Sequence, residues 1–412
     1  MIKRFICAAL ASALCFSAAF GLTRDALRQD YRQLALRRSH ASPYLEAPDL
    51  ASYSTAGTLT DAAQQEALDY LNFLRRIAGL EPVALSPLYI FRSQNGALLL
   101  AANDQLNHNP PPAEGMDQAL YESALLGTSL GNIAKFNWMR PEILLDGVEY
   151  FARDDGDFNL STLGHRRWLL NPYMAQTGFG LANAISGMSY VTMYAVDDGN
   201  ADARWDSVCW PAAEAFPVEL MRRDLAWSIS LNDDVYDLAA SAPVLTMTEL
   251  SSGAVFRFDF SARTGDGFCL LNSAGYGSGS CLIFRPELQA SGIGEYVQNQ
   301  RWQVQLIGLV RRDGSAAELS YVSEMTALNP QDVVNVEIWP LTAELNAGDT
   351  LQLQASVIPA YADDLSVSFE SDNPAVAQVD AYGLVSAVGS GSCSITVRTV
   401  NGRTDACSVT VR

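Results

Sequence analysis

The chain has 412 residues and only three histidines, His40, His108 and His165, so imidazole chemistry is confined to very few places. No HExxH pair occurs, which excludes a zinc site built from two histidines one turn apart on a helix. A serine-hydrolase elbow of the GxSxG type is not expected, and no CxxC pair offers a cysteine zinc site. Positive charge is also short: 27 Lys and Arg face 46 Asp and Glu, for a formal net charge of −19. A field of that sign repels phosphate backbones and argues against nucleic acid as a partner. Beyond the N-terminus no apolar run is long enough to cross a bilayer, so no transmembrane segment is expected once the leader is removed.

What the N-terminus does have is a leader pattern. Lys3 and Arg4 precede an uncharged apolar run, Phe5 to Phe20, and Ser17-Ala18-Ala19 supplies small residues for cleavage. Residues 1–19 therefore read as a signal peptide, and the protein as secreted, extracellular or held in the cell envelope. Cys7 and Cys15 would leave with it. The remaining five cysteines are an odd number, so at least one is unpaired within the chain. Cys269 and Cys281 flank the turn-rich "NSAGYGSGS", which allows a disulfide between paired strands.

The chain changes character twice. Residues 20–55 form a polar extension with one helix expected at Arg24–Arg38, and His40 reads as solvated. Residues 56–202 mix helical periodicity with short strands. Within Thr60–Leu80, Ala67, Leu68, Leu71, Leu74 and Ile77 share one helical face, with Thr60 or Asp61 as cap and Gly79 at the end. A second helix is expected over Ser86–Leu106. A third begins near Pro141, with Leu144, Leu145, Val148, Phe151 and Ala152 inward. Then "DDGDFNLSTLGHRRWLLNP" predicts a short helix around His165, capped by Asp157 or Ser161 and followed by Pro172.

Several of these elements, in this order, resemble the CAP superfamily of cysteine-rich secretory, antigen 5 and pathogenesis-related 1 proteins. The carriers are "ALDYLNFLRRIAGLEPV" with Asn72 and Arg75, a histidine closing helix two in "LNHNPP", "LGNIA" at 130–134, and "DDG…GHRRWLLNP…GFGLA". The resemblance covers about 140 residues. It implies an α-β-α sandwich with one open cleft faced by His108 and His165. It also implies two acidic groups, and here the chain departs: Gly131 stands where the family's glutamate is expected, beside Asn132. Asp155 and Asp154 are candidates for the second acidic position, with Glu149 behind them.

Neutral imidazoles are good zinc ligands, so His108 and His165 could together hold a divalent cation. Two protein ligands make an exchangeable site, and no cofactor is required by the reading. Each histidine has a plainer role as well: His108 closing a helix, His165 bonded to Asp155. Arg166 and Arg167 are expected to include a salt-bridge partner, and Trp168, Leu169 and Leu170 to pack inward.

Residues 203–328 alternate short apolar runs such as "AWSISL", "VLTMTEL" and "AVFRFDF" with turn residues, the pattern of a β-sandwich. Trp210, Trp227, Tyr276 and Trp302 are expected in its core, with a sugar-binding platform as the alternative. Residues 329–412 resemble a bacterial immunoglobulin-like domain of group 2. Here the carriers are Gly348, Pro359, Ser371-Asp372, Val376-Ala377, Gly383-Leu384-Val385 and "CSVTV", with Phe369 where tryptophan is common. Cys393 and Cys407 should face inward without standing directly opposite each other across the Asn401-Gly402 turn. The expected fold class is thus α+β: an α-β-α sandwich followed by two all-β immunoglobulin-like sandwiches. The function expected is non-enzymatic binding of an extracellular ligand (a lipid, glycan, metal or protein) in the cleft, with the β modules as spacer or adhesion units. A metal-dependent hydrolase and an adhesin with a vestigial cleft are the alternatives.

Overall fold

The computed structural model describes residues 21–277, 279–360 and 362–412. The expected signal peptide, 1–19, lies outside the described residues. The chain folds as two compact units. One takes residues up to 216 with 223–294 and 301–323; the other takes 217–222, 295–300 and 324–412. The helical region and nearly all of the sandwich after it therefore belong to one unit.

In that unit α1 (Arg24–Arg37) packs on α2 (Asp61–Ile77), with Tyr31 and Phe73 ring centroids 6.1 Å apart. Thr60 caps α2 as expected, its Oγ1 accepting the Ala63 N–H. The buried face of α2 includes the five apolar residues picked out by their spacing. Then comes α3 (Pro87–Asn103), with proline at its first turn and Asp104 in left-handed conformation after its end. The helix α4 (Gln118–Ser129) was not expected from sequence: it buries only Ala124, Gly127 and Thr128, too few to show a periodic stripe. After it, α5 (Ile143–Arg153) buries the predicted apolar face, and α6 (Gly164–Leu169) carries His165. No side chain caps α6; its N-cap is Leu163 rather than Asp157 or Ser161.

Three antiparallel strands, β1 (Gly131–Phe136), β2 (Phe179–Asn183) and β3 (Ser189–Tyr194), form a sheet in the order β1-β3-β2. Neighbouring residues of β3 show that helices cover both faces. Thr192 Oγ1 donates to Ser93 O of α3 at 2.7 Å, whereas Val191 meets α5 at Gly147, where a Cβ would lie 2.6 Å from Val191 Cγ1. On the α3 face, a Cβ at Gly180 would lie 2.2 Å from Ser93 O, so "GFGLA" needs glycine there. Gln94 closes the contact by exchanging amide bonds with the backbone of Leu181 (2.8 and 3.1 Å).

The rest of this unit is two sheets. β4 (Ser207–Trp210), β6 (Trp227–Leu231), β10 (Gly267–Asn272) and β11 (Ser280–Pro286) run in the order β10-β11-β6-β4. The other holds β5 (Glu214–Pro217), β7 (Val244–Glu249), β8 (Val255–Asp259), β9 (Thr264–Gly265), β12 (Arg301–Val310) and β13 (Ala316–Thr326). Their order is β9-β8-β7-β12-β13-β5. Trp210, Trp227 and Trp302 are fully buried, as the core reading expects, whereas Tyr276, expected with them, is exposed; Phe258 packs on Phe284 at 5.5 Å. Cys269 and Cys281 do lie on paired strands, but Cys269 faces Phe284 and Cys281 faces Asn272. That offset forbids the disulfide, and both thiols are free.

In the second unit the long hairpin Gly391–Thr399 and Thr404–Val411 turns through Asn401-Gly402, with Gly402 at φ 85°. Val367–Ser371 and the parallel Thr342–Leu345 extend it to four strands. Ile395, Val397, Val409, Val385 and Ala377 form its interior, and Phe369 packs against them. Cys393 pairs in register with Val409 and Cys407 with Ile395, so the two thiols are buried and free, not opposed.

Candidate functional site

The segment between α5 and α6 builds the site. α5 stops because Asp154 turns left-handed (φ 49°), sending its N–H back to Tyr150 O at 2.9 Å. This swings the Asp154 carboxylate under α6, 2% exposed as a residue. There Oδ1 lies 2.8 Å from His165 Nδ1, and Oδ2 accepts the Arg166 N–H at 3.1 Å. A carboxylate only accepts, so His165 carries a proton on Nδ1, and in the neutral ring the lone pair is on Nε2. The ring stacks on Phe151 at 5.4 Å, and Asn132 of β1 donates to His165 O at 2.9 Å. The expected bond from His165 to Asp155 is thus made by Asp154 instead, and Asn132, 1% exposed, positions the histidine backbone.

His108 does not close α3, which ends at Asn103; it sits in the following loop. Its Nδ1 donates to Thr128 O at 2.8 Å, and Thr128 Oγ1 donates back to His108 O at 3.0 Å. Again Nε2 keeps the lone pair. Partial burial pushes the His108 imidazole below its ordinary pKa, the Thr128 bond opposes this, and positive charge on His165 lowers it further. The two rings, far apart in sequence, are within electrostatic reach of each other.

Both histidines line one open cleft of about 890 Å³, together with Asn132, Gly131 and Asp155. Asp154 lies behind the wall, and Glu149 is turned elsewhere, accepting from Tyr70 and pairing with Arg153 at 2.7 Å. At Gly131 a Cβ would lie 2.5 Å from Gly127 O and 2.9 Å from Met193 O. The backbone itself thus closes the place where the resemblance puts a glutamate. His40, in the extension, meets Glu142 at 2.8 Å on the surface and takes no part.

Sequence reasoning missed several lining residues. Trp168, expected in the core, is half-buried on the cleft wall, and Tyr150, Phe158 and Ser129 join it. Ser129 is the centre of Gly127-Thr128-Ser129-Leu130-Gly131, which does spell GxSxG. That correction changes little: the segment runs from helix into strand, the reverse of an elbow's strand-to-helix turn. Ser129 Oγ donates to Leu125 O at 2.6 Å rather than to either imidazole.

The arginines of "GHRR" hold the site from below. Arg166, 1% exposed, donates to Ala152 O, Arg153 O and Ala226 O at 2.6–2.7 Å. Burial pushes its pKa down to about 10, so it stays charged. Arg167 bonds Asn272 Oδ1 at 2.8 Å and the carbonyls of Ala274 and Gly279. Instead of the expected salt bridge, both guanidiniums bind mainly backbone carbonyls. Arg75 of α2, fully buried, does the same toward Leu169 O and Asn171 O, both at 3.0 Å.

Among the described residues no group of three or more His, Cys, Asp or Glu side chains is placed to hold a metal ion. Two imidazole nitrogens fall short of the three protein ligands of a resident catalytic zinc. The donor set does not fit such an ion. Among the described residues no helix is long and apolar enough to cross a membrane.

Comparison with known proteins bears on the other unit. An Ig-like virion protein of Serratia phage KSP90 is 37% identical over 97 residues, which is 23% of this chain and 36% of the relative's own length. The chain thus spans well under half of that protein. An intimin mutant of EHEC O157:H7 is 24% identical over 20% of this chain and 46% of its own, with a TM-score of 0.15. Domains 4 and 5 of the S-layer protein SbsC are 16% identical over 27% and 64%, with a TM-score of 0.18. Superpositions that loose add nothing to the sequence match. The family model of the bacterial Ig-like domain (group 2) matches residues 332–411, and that segment is such a domain.

Proposed function

We propose that residues 56–202 are a CAP-superfamily domain and that the protein is exported to the bacterial surface or beyond. There it binds an extracellular ligand in the histidine cleft without transforming it, and the Ig-like domain serves as a spacer or adhesive unit. One observation carries the reading. His108 and His165 line a single open cleft, and each is anchored through Nδ1, which leaves Nε2 for a ligand. The leader pattern at 1–19 supports export. The helices on both faces of the β1-β3-β2 sheet support the family assignment. Catalysis is disfavoured because the cleft brings neither a bonded serine nucleophile nor a third metal ligand to the imidazoles.

The test is calorimetric titration of the whole mature chain and of its His108→Ala/His165→Ala variant with three probes: zinc chloride, oleate and a set of oligosaccharides. Saturable binding of any one probe by the parent chain, lost in the variant, is the expected result. Equal binding by both proteins, or none by either, would overturn a ligand-binding cleft.

A further inference from the structure

The sandwich after the helical region completes the cleft wall. Tyr276 stands in the turn between β10 and β11 and is 37% exposed, yet it lines the cleft with His108 and His165. Three contacts fix it there. Arg167 lies over its ring at 5.7 Å while holding the carbonyls of Ala274 and Gly279 on either side of it. The ring rests on Gly164, where a Cβ would come within 2.9 Å of Tyr276 Cδ1. Asn272, where β10 ends, donates to Ser161 O at 2.8 Å. Tyr276 is thereby held on the cleft wall.

The chemistry of the lining selects the ligand. It contains no lysine or arginine, and its one carboxylate is Asp155. With the net charge of −19, this disfavours phosphate, sulfate, uronic acid and fatty-acid headgroups. Beside the apolar Leu106, Leu130, Ile133 and Val196, an alkyl chain would strip water from Asn107 and Ser161 without replacing their hydrogen bonds, while Asn159 and Thr162 already donate to Asp155 O and Asn159 O. Those amides and hydroxyls match sugar hydroxyls. The aromatic side chains of Tyr276, Trp168 and Tyr150 on the lining offer apolar surface that matches the C–H faces of sugar rings. We infer that the cleft takes an uncharged oligosaccharide and that Tyr276, supplied by the sandwich, is one of its stacking platforms. The inference rests on the ligand-binding reading above.

The experiment titrates the whole mature chain with cellohexaose, maltohexaose and the N-acetylglucosamine hexamer, with hexagalacturonate and oleate alongside. Tyr276→Ala, Tyr276→Phe and His108→Ala/His165→Ala are compared, and circular dichroism confirms that each is folded. The expected result is binding of at least one neutral hexamer and of neither anion. Tyr276→Ala should weaken it by about tenfold or more, and Tyr276→Phe should restore it. Neutral binding that is unmoved by Tyr276→Ala would overturn the platform. Oleate or hexagalacturonate binding in place of the neutral sugars, lost in the histidine variant, would overturn the saccharide while leaving the cleft a binding site. Binding of no probe would overturn both.

Discussion

The cleft-bearing region and the Ig-like domain bury different things. The first encloses Arg75, Arg166, Asp154, Gln94, Asn95 and Asn132, each no more than 5% exposed. Between 332 and 411 the buried polar side chain among the described residues is Thr399; the rest of the interior is aliphatic, alanine and cysteine. An apolar interior needs little more than the right volumes, and strand alternation supplies them. A buried charge is tolerated only when every hydrogen bond is placed, and that placement fixes a single geometry. The difference teaches where a site is to be sought: in the region whose polar groups are buried and satisfied.

The comparison can be broken most directly at Arg166. Arg166→Met leaves the carbonyls of Ala152, Arg153 and Ala226 without this donor and should cost about 3–5 kcal/mol. Scanning calorimetry should show the transition of the first unit falling and that of the Ig-like domain unmoved. The reciprocal change is Ile395→Ala in the Ig-like core. It should cost about 2–4 kcal/mol through lost burial and a residual cavity, lowering only the transition of the second unit. A single shared transition that moves with both variants would erase the distinction.

The smallest effect sharpens the comparison at the cleft. His108 has a folded pKa below its unfolded value, so the unfolded chain binds that proton more readily. The contribution is unfavourable at low pH, and stability rises with pH through the interval just below 6.5. Urea midpoints of the first unit, taken between pH 4.5 and 7.5, should therefore climb more steeply for the parent chain than for His108→Gln. Equal slopes would mean that the cleft does not desolvate this imidazole.

Much of this was legible in the chain itself. Apolar spacing, with a capping residue or a leading proline, located α2 and α5, because a helix must turn one face to the core. Alternation located the strands and pointed Cys393 and Cys407 inward, because side chains alternate across a sheet. The resemblance brought forward His108, His165 and the Asp154–Asp155 pair. Local pattern could not tell those two aspartates apart. The left-handed turn at the end of α5 decided it, burying Asp154 against His165 and leaving Asp155 on the cleft. Nor could it foresee that Gly127 O and Met193 O close the space beside Gly131, or that the Cys269 and Cys281 strands pair out of step. The histidine pair, the backing arginines and Tyr276 meet only after long loops close, and no periodicity records which distant segments will touch. Sequence by itself determined most of the elements, the charge and the C-terminal domain; only the tertiary structure decided which polar groups share a cleft, because that depends on where buried hydrogen bonds can all be satisfied at once.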